Sequence, residues 1–405
     1  MPYGQFRRMR DLIHAPSPIG LEGAMKVVAI SQILQFMPKT WKIHHLIGSA
    51  GFVVDTLPNA GPDVLRIMAV GHMDKIRLIV RAIKDGRIWL NSDSMLPITA
   101  IGQRVKIYSE DPAHPGSWRV ITGGTIGSYG AVHLAPVTFR DGSAGPKKDD
   151  LFLELHLTGD NIMAQIEAMG IRAGDAIIFD SPVRRGVGPN TFVGAYLDNA
   201  LGCHVVVETL RKLANDPTTP NVRFLGAFAT HEEIGMMGGV LLAHMLEPHI
   251  MIGLDVNHDF EGTAHQASHN LPRIAMGKGT TVATGSVCSP TLVTMIQRIA
   301  QDQKIPMQID PVGRITGTDA MGAWMGGIDA ATTSLGMAIR DMHSALEGGH
   351  TGDVITTIHL LDALVRRLSF EDVQPGHFHS IHPNLSQAEP HGWVEPPKKK
   401  GAAKH

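Results

Sequence analysis

A chain of 405 residues, 43% apolar and 18% charged, has ordinary globular composition and a length suited to two or three domains, or to one large domain with an insertion. Its net charge of -2 offers no basic surplus for nucleic acid or acidic membranes, and no apolar stretch approaches the roughly 18 residues that span a bilayer. The first residues lack the apolar block of a secretory signal, so a cytoplasmic location is expected, and with only Cys203 and Cys288 present any metal must be held by His, Asp and Glu.

Residues 5–13 and 22–36 read as short amphipathic helices, split by APSPIG, where proline stops one helix and glycine frees the turn. VLRIMAV (64–70) is a short apolar run and reads as a buried strand. The stretch 81–186 differs. Short alternating runs such as RVKIYSE and LFLELHL, closely punctuated by Gly, Pro, Asp and Ser, predict a small β-rich domain. Beyond it, FLGAFAT (224–230) and IMIGLDV (250–256) read as buried strands between the helix-like DNALGCHVVVETLRKLAND and GGVLLAHMLEPH. VITTIHLLDALVRRL (354–368) is the last helix expected, and 373–405, rich in Pro, His and Lys, reads as a disordered tail. Strands alternating with helices predict an α/β domain with a mostly parallel sheet, formed by 1–80 and 187–372 and interrupted by the β-rich insertion.

Three of these strands run into residues that bind metals. VLRIMAV leads to Gly71-His72-Met73-Asp74, FLGAFAT to His231-Glu232-Glu233, and IMIGLDV ends at Asp255. Open α/β sheets bind ligands outside the carboxyl ends of their strands. Residues two apart on an extended chain share a face, so Asp74 is placed to accept the second N–H of the His72 ring. Each residue alone has an ordinary reading: a structural histidine, a solvated Glu pair, an Asp that caps a helix. Together they lie at the ends of apolar strands, where charge is costly unless paired or metal-bound. Adjacent residues on a strand face opposite ways, so Glu232 and Glu233 reach one site only where the chain turns; Gly235 and Gly238-Gly239 are expected to permit that turn.

GHMD (71–74), AYLDNALGC (195–203), THEEIGMMGG (230–239), GLDV (253–256), GKG (277–279), TGTDAMGA (316–323) and IRDMHSALE (339–347) resemble, in order, the motifs of the tetrahedral dinuclear metallo-aminopeptidases. That family includes glutamyl and deblocking aminopeptidases and proteins once labelled cellulases. The resemblance covers about residues 5–370, and GGTIGS, DLFLELH and GIRAGDAIIFD within the insertion resemble its β-rich dimerisation domain. It implies a phosphorylase/zinc-peptidase-like fold and removal of N-terminal residues from peptides. It implies two divalent ions, zinc first and cobalt or manganese as alternatives. One ion would take Asp198, Glu233 and His343; the other would take His72, Asp198 and Asp255. Glu232 would be the general base acting on a water between them, with Asp74 orienting His72. Thr318-Asp319 reads equally as a helix cap, but the resemblance puts both near the substrate. It also implies self-association through the insertion, as a dodecamer.

Three positions depart from the family's pattern: Lys75, where an acidic residue is usual, Ala200 after Asn199, and Asp341 before Met342-His343. They lie near the ligands, so the family's substrate preferences transfer poorly. They motivate an alternative, hydrolysis of a non-peptide amide such as an N-acyl amino acid.

Overall fold

Alternate residues of the apolar runs enter two different hydrophobic cores, which is what makes them strands of a sheet covered on both sides. In the computed structural model of the chain, which describes residues 1–111, 113–216, 222–262, 271–370 and 378, Ile67 and Ala69 pack on one face of the strand Leu65–His72, and Met68 and Val70 on the other. The first face is covered by the helices Tyr3–His14, Gly23–Leu34, Leu197–Asn215, Pro290–Asp302 and Thr351–Phe370. The second is covered by Met237–Leu246 and the short Gly322–Met325.

Among the described residues the sheet has eight strands, in the order Lys42–His45, Phe52–Asp55, Val222–Ala229, Leu65–His72, Ile250–His258, Ala331–Ile339, Thr280–Gly285 and Met307–Val312. The four in the middle are parallel. This is the mostly parallel α/β architecture read from the sequence. Ala331–Ile339 was not anticipated, although all nine of its residues are buried.

A closed antiparallel barrel stands apart, built from Leu78–Lys84, Arg87–Ser92, Phe152–Glu154, Trp118–Gly127, Arg104–Glu110 and Ala176–Phe179. It has its own core, including Leu78, Val80, Leu90, Ile107 and Ile177. The expected tail, 373–405, lies outside the described residues apart from Phe378. No helix among the described residues is long and apolar enough to cross a membrane.

Candidate metal centre

The residues singled out in the sequence converge where the parallel strands end. His72 closes Leu65–His72, Asp255 lies in Ile250–His258, Glu232 and Glu233 follow Val222–Ala229, and His343 follows Ala331–Ile339. Asp198 comes from the start of Leu197–Asn215, where its own backbone and that of Asn199 are not yet helical. Asn199 fastens this start to the sheet: its Nδ2 donates to the Leu254 carbonyl at 2.7 Å and its Oδ1 accepts from Gly202 N at 2.9 Å.

His72 Nε2 lies 3.2 Å from Asp198 Oδ1 and 3.7 Å from both Glu232 Oε2 and Asp255 Oδ1. His343 Nε2 lies 3.1 Å from Asp198 Oδ2 and 3.3 Å from Glu233 Oε2. The two oxygens of Asp198 therefore face two different histidines, each with a further carboxylate beside it. The other nitrogen of His72, Nδ1, is 3.1 Å from the Asp74 main-chain oxygen and 3.5 Å from its carboxylate. The main-chain oxygen is thus its nearer partner, not the carboxylate expected from sequence. Asp74 Oδ2 instead accepts from Glu233 N at 3.1 Å, tying two strand ends together.

This cluster holds more negative charge than its histidines balance. Burial, helped by the charges of Asp319, Asp198 and Asp74, pushes the Glu232 carboxyl up to about 8. Burial and Asp198 push Glu233 up to about 10, and burial raises Asp255 as well. Burial also opposes ionisation of Asp198, but the hydrogen bond from His343 to Oδ2 and the close approach of the His72 ring to Oδ1 outweigh it and hold that group low. Asp198 Oδ1 and Glu233 Oε1 are buried without making a hydrogen bond. His72, Asp198 and Glu233 offer donor atoms all within 4.8 Å of one another. Buried oxygens with free lone pairs, grouped with imidazole nitrogens, suit a divalent cation.

The turn at Glu232-Glu233 forms, with Gly235 in the role expected of it and the Gly238-Gly239 pair in a different one. Gly235 has φ 128° and makes the turn. Gly238 and Gly239 are helical and serve close approach: a Cβ on Gly238 would sit 2.2 Å from the Thr230 carbonyl oxygen, and one on Gly239 2.6 Å from Asp319 Oδ1. Asp319 is buried and accepts from Gly239 N at 3.1 Å, whereas Thr318 lines a cavity beside Asp255. The GKG segment is held by Asp353, which accepts from Gly277 N and Gly279 N.

Glu347 has a role that the sequence reading did not assign. Its buried carboxylate accepts from Leu197 N at 2.7 Å, Asp198 N at 3.2 Å and His343 N at 2.9 Å. It thus sets the backbones of two residues that meet in the cluster. Those loops are strained: Tyr196 and His343, neither a glycine, have φ of 69° and 62°. The one local signal was an acidic residue four places after His343. Replacing one oxygen with an amide leaves a buried N–H without its acceptor. Glu347→Gln is therefore expected to lower stability by about 1–3 kcal/mol and to weaken metal binding. Thermal unfolding and metal titration, each compared with the parent, check this; no change in either would remove the role.

Two of the three departures face away from the cluster. Ala200 is packed in the main core. Lys75 is buried, and its Nζ donates to the carbonyls of Leu12, Ile13 and Ala15, at the end of the helix Tyr3–His14. Free carbonyls and the helix dipole favour a cation there. Burial pushes its pKa down to about 7, and the ring of Tyr196, 5.3 Å away, adds a cation–π contact. Lys75→Met should lower stability by about 1–3 kcal/mol in chemical denaturation, yet leave the ratios of turnover among substrates as they were. A changed ratio would return Lys75 to the substrate site.

A mostly parallel α/β sheet with this donor set at its strand ends suits a metal-dependent hydrolase. The model of the M42 glutamyl aminopeptidase family matches residues 53–360, and the chain belongs to that family. It is similar to a lysyl aminopeptidase of Pyrococcus furiosus, 27% identical over 373 residues that make up 91% of this chain and 98% of the other. Among solved structures it resembles a TET aminopeptidase from a marine-sediment Thaumarchaeota archaeon, with TM-score 0.79, 21% identity, and coverage of 91% of this chain and 98% of that one. It also resembles the TET1 peptidase of Pyrococcus horikoshii, which can assemble into a tetrahedron or a large octahedral shell, with TM-score 0.71, 18% identity and coverage of 89% and 99%.

Proposed function

We propose that the chain is a dinuclear aminopeptidase, in which His72, Asp198 and Asp255 hold one ion and Asp198, Glu233 and His343 the other. The observation that carries this reading is that the two oxygens of Asp198 face His72 and His343 separately. Two such ions would acidify the attacking water and polarise the scissile carbonyl. His and carboxylate donors suit zinc, with cobalt or manganese as alternatives.

The chain's own residues do the rest. Asp74 fixes the His72 ring through Nδ1, so that Nε2 stays turned into the cluster. Glu233, deeper and next to His343, would be held in its ionised form by the ion it binds, which offsets the burial that otherwise raises it. Glu232 lies toward the same space, its Oε2 3.7 Å from His72 Nε2, and no direct hydrogen bond to its carboxylate is found among the described residues. Glu232 takes the proton of the attacking water and returns it to the leaving amine. Burial, with the added charge of Asp319, holds its carboxyl above the usual carboxylate range.

We further propose that the insertion expected at 81–186, which carries all of the barrel but the first residues of the strand Leu78–Lys84, is a dimerisation domain, and that the chain assembles as twelve subunits in the cytoplasm. The shell-forming Pyrococcus horikoshii relative supports this. Exposed apolar side chains on the segment after the strand Trp118–Gly127, Val132, Leu134 and Val137, also support it. Light scattering that finds only monomer at micromolar concentration would sink it.

Aminoacyl-anilides assayed beside N-acyl amino acids test the activity. Release of the anilide chromophore with no deacylation is the expected result. The reverse would favour the N-acyl amino acid reading, whose motivation is weakened by the inward placement of Lys75 and Ala200.

A further inference from the structure

The barrel's hydrophobic core takes in three residues from the loops of the α/β domain that carry Asp198 and His343. Ala195 and Tyr196 lie just before Asp198, and Ala345 lies just after His343; all three are buried among residues such as Leu78, Ile107 and Ile177. We propose that the barrel buttresses the metal centre, and that Tyr196 is a positioning residue that sets where the Asp198 carboxylate stands. The inference rests on the dinuclear reading above and adds to it the residue that holds the shared ligand in place.

Asp198 and His343 need such support more than other members of the cluster. His72 and Asp255 lie within strands of the sheet, whose ladders fix their backbones. Asp198 and His343 lie where the chain has left regular structure. Tyr196 and His343 also occupy the left-handed region, which crowds the Cβ of any residue but glycine. Such a conformation persists only where the surroundings over-determine it.

Tyr196 is held in that way. Its hydroxyl oxygen accepts from Phe179 N at 2.6 Å, on the barrel strand Ala176–Phe179. Its ring lies 6.0 Å from the Phe179 ring, inside the barrel's core. The Lys75 ammonium, 5.3 Å from the ring centroid, faces it from the α/β domain. The main chain beside it is tied to the same stretch, Ala195 N donating to the Ser181 carbonyl at 3.1 Å. One residue further on, Leu197 N and Asp198 N meet the Glu347 carboxylate. The Asp198 backbone is thus fixed by the barrel through Tyr196 and by Glu347 directly. A close-packed core transmits such a placement because it deforms little. The placement matters because the two oxygens of Asp198 must face two histidines at once.

The test uses the full chain. Zinc affinity is read by competition with a chelator, beside kcat and KM for an aminoacyl-anilide at saturating zinc and thermal unfolding of the metal-free chain. Tyr196→Phe keeps the ring and its contact with Lys75, and removes only the acceptor of Phe179 N. It should weaken zinc binding about 10–100-fold and lower kcat, with KM little changed. Leu153→Val is the control, since its strand Phe152–Glu154 stands opposite Ala176–Phe179 in the barrel. It should lower the unfolding temperature and leave zinc affinity and kcat as they were. Ala345→Gly removes the methyl group that the His343 loop places in the barrel core. It should weaken zinc binding by a smaller factor, and it carries the test if Tyr196→Phe does not fold. Zinc affinity and kcat unchanged in whichever of these two variants folds, or weakened as much in Leu153→Val, overturn the inference and leave the dinuclear reading standing. A parent chain that binds fewer than two zinc ions overturns both.

Discussion

Glu232→Gln should retain its metal and lose turnover by roughly 10²–10⁴-fold, the usual scale for general acid–base catalysis. The amide has the shape of the carboxylate but cannot carry the proton from water to the leaving nitrogen. Its effect on the ions should be small, because Glu232 Oε2 approaches His72 Nε2 only to 3.7 Å and Asp198 lies closer, at 3.2 Å. Glu233→Gln should behave differently. Glu233 lies 3.3 Å from His343, and its other oxygen is buried without a hydrogen bond, so the amide should weaken one ion as well as slow the reaction. Metal content and turnover must be measured on the same preparations. Metal loss in Glu232→Gln, with both ions kept in a merely slow Glu233→Gln, would swap the two roles.

Removing the metal should have an effect at least as large. Chelation is expected to abolish turnover, and re-addition of zinc, cobalt or manganese to restore it to differing degrees. Elemental analysis of carefully loaded protein should approach two ions per chain. Asp198→Asn should lose the most metal of any single variant, since each oxygen of Asp198 serves a different histidine. His72→Ala and His343→Ala should each weaken one ion. Chelation should also lower the unfolding temperature, because ions that bind only the folded chain stabilise it by mass action. Without cations the carboxylates of this cluster are costly to bury in ionised form, first through lost hydration and then through mutual repulsion, which is the cause of the raised pKa values of Glu232 and Glu233. Metal content and activity that survive both His72→Ala and His343→Ala would overturn the ligand assignment.

The sequence by itself determined the mostly parallel sheet and the strand-end members of the site. Strands covered on both faces must be apolar throughout, so VLRIMAV, FLGAFAT and IMIGLDV stand out. A charged residue directly after such a run is costly unless compensated, which drew attention to His72, Asp74, Glu232, Glu233 and Asp255. Asp198 and His343 entered through the resemblance, because a helix start and a strained loop carry no such signal. The strand Ala331–Ile339 escaped notice because ATTSLGMAI is only weakly apolar; its neighbours on either side bury it. Tertiary structure alone decided the rest. Glu347 finds Leu197 150 residues away, Lys75 finds the Ile13 carbonyl 62 residues away, and Asn257 finds Asp310 53 residues away. A carboxylate or ammonium takes its role from whichever partners the fold brings within about 3 Å, and across such separations local pattern contains no trace of them.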